Sequence, residues 1–266
     1  MTGKSFAEIP HPLIVGSVRQ RNTETAIAEI QAEETDGARA FILHIQLLEE
    51  KYRNFKDFKK ITAATEWPVM AINYRTENGP CDEQRIEVLR EAVRAGFRSV
   101  DIPMYIYDGD PQSGLSLCDL PFAAVNPKEV SMRPEIIYKQ KELIKEFQAI
   151  GAEVLMSAHV GVELNVEQVV SLALEIRSRG ADIVKIISSC ESKEQQLEVL
   201  RGNLELKNTL DVPFLYTCFG KHGRYIRFNA PLFGSMLVFG HHEYSALSNR
   251  EKPLIKDLTD FYEMNL

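Results

Sequence analysis

Short apolar runs alternate with amphipathic stretches along the whole chain. The runs fall at residues 12–18, 41–47, 67–75, 96–104, 153–159, 183–187, 212–219 and 237–240. They are rich in Val, Ile, Leu and Phe, the composition of buried parallel strands. Helical spacing appears between them at residues 23–35, 55–65, 82–95, 135–150, 166–179, 192–209 and 253–264, with a shorter stretch at 226–233. In the 82–95 stretch Ile86, Leu89, Ala92 and Val93 share one face. Gly151 and Gly180 stand where helix C-termini favour glycine, and Ser192 with Gln195 reads as a capping box. Residues 105–134 break the rhythm with Asp108-Gly-Asp-Pro, a Ser-Gly pair and several prolines, and read as loop. A loop of that length suggests a partial lid or an interface segment.

Eight strand signals alternating with helices predict parallel strands, and the count favours an α/β fold of the (β/α)8 barrel type, residues 1–266 forming a single domain. No Gly-x-Gly-x-x-Gly turn follows any strand, which argues against a doubly wound dinucleotide-binding sheet.

The 266 residues are 44% hydrophobic, ample for one sizeable core. A net charge of −7 gives no electrostatic support to a nucleic-acid partner. Cys81, Cys118, Cys190 and Cys218 are unpatterned and read as reduced thiols of a cytoplasmic protein. The first residues lack the apolar core of a signal peptide, and no run approaches the ~20 apolar residues of a membrane span.

The strongest chemical signal is Lys185, at the centre of the run Ile183-Val-Lys-Ile-Ile. Burial disfavours the ammonium form, and a neutral amine is a nucleophile for a carbonyl. The competing reading is a lysine that snorkels or pairs with a carboxylate. In a barrel, chemistry gathers at the C-terminal strand ends. There the chain places His44 and Gln46, Arg75 and Glu77, His159, Lys185, and then Arg227. A lysine condenses with a ketone, the iminium acts as an electron sink, and His159 moves protons. Glu77 is the nearest carboxylate candidate to orient His159, and Arg227 offers a fork for a substrate carboxylate. His159 also fits a core histidine bonded to backbone, and both arginines fit surface ion pairs. His241-His242 invites a metal, but the sequence spaces no matching acid or third histidine beside the pair, so no metal is expected.

Three blocks carry a family resemblance: Val154-Leu-Met-Ser-Ala-His159, Gly180-Ala-Asp-Ile-Val-Lys185-Ile, and Gly220-Lys-His-Gly-Arg-Tyr-Ile-Arg227 followed by Leu232-Phe-Gly-Ser and Phe239-Gly. Together they resemble type I 3-dehydroquinate dehydratase, in order and in spacing. The resemblance implies a (β/α)8 barrel, usually a homodimer, with the imine at Lys185, proton transfer by His159 and carboxylate binding by Arg227. It also implies substrate contacts for Arg75, Ser245 and Asn249, with Phe219 against the substrate ring. No cofactor is implied, since the imine is the electron sink.

The departures lie mainly on the recognition side. Where the family's second strand carries Glu-x-Arg-x-Asp, this chain has His44, Gln46 and Leu48. The usual carboxylate partner of the histidine falls near Gly79, leaving Glu77, and Asn249 replaces a glutamine. The expected function is a Schiff-base lyase dehydrating 3-dehydroquinate. The alternatives are a Schiff-base lyase or aldolase on another carboxylated keto compound, or an inactive relative that binds a small carboxylate.

Overall fold

The computed structural model describes residues 5–109, 129–220 and 222–266. Its strands are β1 (Leu13–Val18), β2 (Ala40–His44), β3 (Val69–Ile72), β4 (Ser99–Pro103), β5 (Glu153–His159), β6 (Ile183–Ser189), β7 (Phe214–Phe219) and β8 (Leu237–Gly240). Its helices are α1 (Thr23–Thr35), α2 (Phe55–Thr62), α3 (Asp82–Arg94), α4 (Pro134–Ala149), α5 (Val166–Ser178), α6 (Lys193–Thr209), α7 (Gly223–Asn229) and α8 (Ile255–Asn265). The strands form one sheet in the order β7-β6-β5-β4-β3-β2-β1-β8. Neighbours pair in parallel from β1 to β4 and from β5 to β7. Parallel strands in sequential order, each followed by a helix, are the (β/α)8 barrel that the alternation predicts.

Local chemistry sets the boundaries. The Ser192 side chain accepts from the Gln195 N–H at 3.2 Å, and Gln195 Oε1 accepts from the Ser192 N–H at 3.0 Å, closing the expected capping box at α6. Gly180 adopts φ +102° just after α5, a left-handed turn that glycine enters without Cβ strain and that feeds the chain into β6.

One boundary corrects the sequence reading. Residues 41–47 read as a continuous strand, but β2 ends at His44 and Ile45–Leu47 is a 3-10 turn. An apolar run cannot by itself distinguish a strand from a strand that turns at its end.

By its contacts the chain divides into two compact units. The first comprises Met1–Asp101, Phe147–Glu153 and Val238–Leu266; the second comprises Ile102–Glu146 and Val154–Leu237. In the first unit the β1, β2 and β3 side chains are buried along their whole lengths, and α1, which buries Ala26 and Ile30, packs on β1. The rings of Phe58 and Phe97 pack edge to face at 5.7 Å beneath α2. In the second unit α5 buries Val169, Leu172, Ala173 and Ile176. Its last turn is followed by the buried Arg179, which donates to Gln140 Oε1 (2.5 Å), the Ser131 carbonyl (2.8 Å) and Glu175 Oε1 (2.9 Å). Ser131 Oγ in turn donates to Asp108 Oδ2 at 2.5 Å. These bonds hold the two ends of the expected lid or interface segment; residues 110–128 themselves lie outside the described residues.

Candidate active site

Lys185 sits in β6 with 3% of its surface exposed, between the buried Val184 and Ile186. Its register partners are Ser157 on β5 and Leu215 on β7. Partners in register share a face, and side chains alternate along each strand. His159, partner of Ile187, therefore occupies the Lys185 face one row nearer the strand ends. At about 3.3 Å per residue and about 4.8 Å between strands, the two Cα atoms lie roughly 8 Å apart, within reach of a reagent held between their side chains.

His159 stacks on Phe219, with centroids 6.3 Å apart and planes at 29°. Phe219 ends β7, and Arg227 comes from α7 just beyond it. Arg227 is buried, and its Nη2 donates to the Cys218 carbonyl at 3.2 Å, which anchors the guanidinium beside the end of β7. The second unit thus brings together four residues that the sequence singled out: Lys185, His159, Phe219 and Arg227.

It adds one that the sequence reading missed. Thr217 aligns with Ile187, and Ile187 with His159, so all three belong to one row. Its hydroxyl, in a residue 2% exposed, has no hydrogen-bond partner among the described residues. Threonine inside Leu-Tyr-Thr-Cys-Phe has ordinary strand composition, so the sequence carried no signal for it.

The first unit holds the remaining sequence-selected residues in a denser polar network. His44 is buried at the end of β2. Its Nε2 lies 3.3 Å from Ser17 Oγ, and its Nδ1 lies 3.4 Å from both Arg19 Nη1 and Gln46 Nε2. Arginine and amide nitrogens only donate, so Nδ1 is the acceptor and Nε2 carries the hydrogen, assigned from these partners. Gln46 meets His44 through the 3-10 turn, not through strand alternation. Ser17 Oγ also accepts from Lys252 Nζ at 2.6 Å, and Lys252 lies 5.3 Å from the centre of the Phe239 ring. Lys252 is a buried lysine with no strand pattern around it, and the sequence reading passed over it.

Arg75 is engaged. Its Nε and Nη2 grip Asp82 at 2.9 and 2.5 Å, and Arg85 Nη2 joins the same carboxylate at 2.5 Å. The ion-pair reading of Arg75 therefore has a named partner. Glu77 is exposed in the turn that the Gly79 N–H closes on the Thr76 carbonyl. Ser245 is exposed, and its Oγ accepts from the Leu247 N–H at 3.2 Å. Asn249 Oδ1 accepts from the Glu251 N–H at 2.9 Å. Both shape the loop after β8.

Fold and site together describe a (β/α)8 barrel with a buried lysine and a histidine on adjacent strands. The sequence matches the profile of type I 3-dehydroquinase over residues 14–265. It is 34% identical over 94 residues to a 3-dehydroquinate dehydratase of Methanothrix thermoacetophila, covering 35% of this chain and 38% of that protein. It is 31% identical over 124 residues to a 3-dehydroquinate dehydratase of Methanosarcina acetivorans, covering 46% of this chain and 51% of that protein. The fold is similar to the crystal structure of 3-dehydroquinate dehydratase from Geobacillus kaustophilus HTA426, with a TM-score of 0.75 and 16% identity over 97% of this chain and 92% of that one. The chain belongs to the type I 3-dehydroquinase family.

Proposed function

We propose that this chain is a hydro-lyase that converts 3-dehydroquinate to 3-dehydroshikimate through an imine on Lys185. The observation that carries the reading is the register of β5, β6 and β7, which sets a buried amine and an imidazole one row apart on one face. The Lys185 amine adds to the ketone, and water leaves to give the iminium. His159 takes the α-proton, the electron pair moves into the enamine, and the β-hydroxyl departs with a proton as the second water. Hydrolysis of the conjugated iminium takes up one water and frees the Lys185 amine, so one water is lost overall. Arg227 binds the substrate carboxylate, and Phe219 packs against the ring. The family resemblance also assigns substrate contacts to Arg75, Ser245 and Asn249. No cofactor enters this sequence of steps. The same reading takes the enzyme to be a cytoplasmic homodimer; among the described residues no helix is long and apolar enough to cross a membrane.

The deciding experiment follows the ultraviolet absorbance of the conjugated product from 3-dehydroquinate, with Lys185→Ala as control. Turnover that disappears in the variant supports the reading. Absence of turnover in the folded wild-type protein rejects it. A second reading, imine chemistry on a different carboxylated keto compound, is favoured by His44 and Gln46, which replace an acidic and a basic residue of the family pattern. Borohydride trapping at Lys185 with other keto acids, but not with 3-dehydroquinate, selects it. Glu77 as the partner of His159 rests on its place in the chain; an unchanged pH–rate profile in Glu77→Gln removes it.

A further inference from the structure

Glu29 and Glu33 are one turn apart on α1, so their side chains leave the same helix face. β1 and the residue after it fix one oxygen of each. The Arg19 N–H donates to Glu29 Oε2 at 3.0 Å, and the Ser17 N–H donates to Glu33 Oε1 at 3.0 Å. The second oxygen of Glu33 is buried with no hydrogen-bond partner among the described residues. Gly16 makes room for it: a Cβ there would stand 2.1 Å from Glu33 Oε2. His241 follows β8 and is 0% exposed. Its main chain is held on both sides, by the Pro253 carbonyl at 3.1 Å and the Ile255 N–H at 2.9 Å. The main chains of Ser17 and Asn249 lie near its ring, but among the described residues neither ring nitrogen has a partner in good hydrogen-bond geometry. One ligand atom from each of Glu29, Glu33 and His241 lies within 4.8 Å of the others.

We propose that Glu29, Glu33 and His241 bind a divalent transition-metal ion. Two carboxylate oxygens and one imidazole nitrogen are a mixed donor set of the kind that suits Zn2+, Fe2+ or Mn2+. Three donors about 2.0–2.2 Å from one ion stand roughly 3–3.6 Å apart, so side chains whose ligand atoms lie within 4.8 Å of one another draw in around the ion. The three side chains leave at least one coordination position for water. The Ser17 and Arg19 N–H groups already orient the carboxylates, the service that outer-sphere partners perform at metal sites. Lys252 donates to Ser17 Oγ and Arg19 Nε to the Leu247 carbonyl, and the charge of Lys252 also reaches Glu33 and that of Arg19 reaches Glu29, so a bound ion shares these carboxylates with them. A dication supplies counter-charge to the buried Glu33 and the half-buried Glu29. The sequence reading found no acid for His241 because the acids come from α1, more than half the chain away.

The test is Co2+ titration of chelator-treated full-length protein, followed by visible d–d absorption and by metal analysis after dialysis. The expected result is one Co2+ per chain, with affinity lowered on the order of 100-fold by Glu29→Gln and by His241→Gln. The exposed His242, whose Nδ1 lies 2.6 Å from Asp36 Oδ2, is the control, and His242→Ala keeps the site intact. Glu29 is only half-buried, so its variant decides the matter if His241→Gln does not fold. Wild-type protein that takes up no Co2+, or uptake that persists in folded Glu29→Gln or disappears with His242→Ala, overturns the proposal.

Discussion

The strand around Lys185 in the second unit and the region around Ser17 in the first handle buried polar groups in opposite ways. Around Lys185 the second unit offers mostly apolar strand, with His159, Thr217 and Arg227 at its C-terminal edge. Around Ser17 the first unit packs Arg19, Glu29, Glu33, His44, Gln46 and Lys252 into mutual hydrogen bonds. The residues that carry the family resemblance, Lys185, His159 and Arg227, lie in the sparse region, and His44 and Gln46, where the resemblance is departed from, lie in the dense one. An amine and an imidazole need only a shared strand face, which the sheet supplies. A substrate-reading surface needs several groups satisfied at once. A change at one of them, such as His44, therefore draws in its neighbours.

The comparison can be broken most sharply at His159. His159→Ala is expected to lower kcat by about 10²–10⁴-fold while Lys185 still forms a borohydride-trapped adduct, because proton transfer is lost and the amine is not. Loss of the adduct as well would show that the histidine shapes the lysine site itself.

On the first unit's side, the expected effect is on stability. Burial by itself raises the Asp82 pKa, but the hydrogen bonds and charges of Arg75 and Arg85 outweigh it and hold the group below its usual value of 3.8. A depressed folded-state value means that this stabilisation is complete above the unfolded value and is lost as pH falls through the folded one. Asp82→Asn leaves the almost fully buried Arg85 without its charge partner and is expected to cost about 3 kcal/mol in urea unfolding at neutral pH. The acid side of the stability curve should flatten in the same variant.

Arg227→Ala sharpens the comparison from the other unit. It is expected to raise KM for 3-dehydroquinate about 10–100-fold with kcat nearly unchanged, the size of one lost charge-assisted pair of about 1.5–3 kcal/mol. An equal fall in kcat would move Arg227 from binding to the chemical step. The smallest expected effect comes from restoring the family pair with His44→Glu and Gln46→Arg. About a tenfold gain in kcat/KM on 3-dehydroquinate is the worth of one regained hydrogen bond. A loss instead would favour the reading in which the pocket serves a different keto acid.

Much of this was legible in the sequence. β5, β8 and α1 fall on their expected boundaries, because apolar runs and helical spacing there end at polar caps or glycines. The lysine strand was legible because a cation inside Ile-Val-x-Ile-Ile contradicts its neighbours. The end of β2 was not, because the 3-10 turn continues the same apolar composition. Thr217 and Lys252 were not either, since a hydroxyl in a strand and a lysine in a loop are ordinary in themselves.

By itself the sequence determined which segments are strands and helices, that they alternate, and which strand carries the buried lysine. These are properties of neighbours along the chain, set by side-chain periodicity over one or two turns. Only the tertiary structure decided that Lys252 reaches Ser17, 235 residues away, that Asp82 occupies Arg75, and that two glutamates of α1 converge on His241. Such meetings are fixed by strand order, register and helix rotation, and no local pattern encodes the partner of a side chain that folding brings from a distant segment.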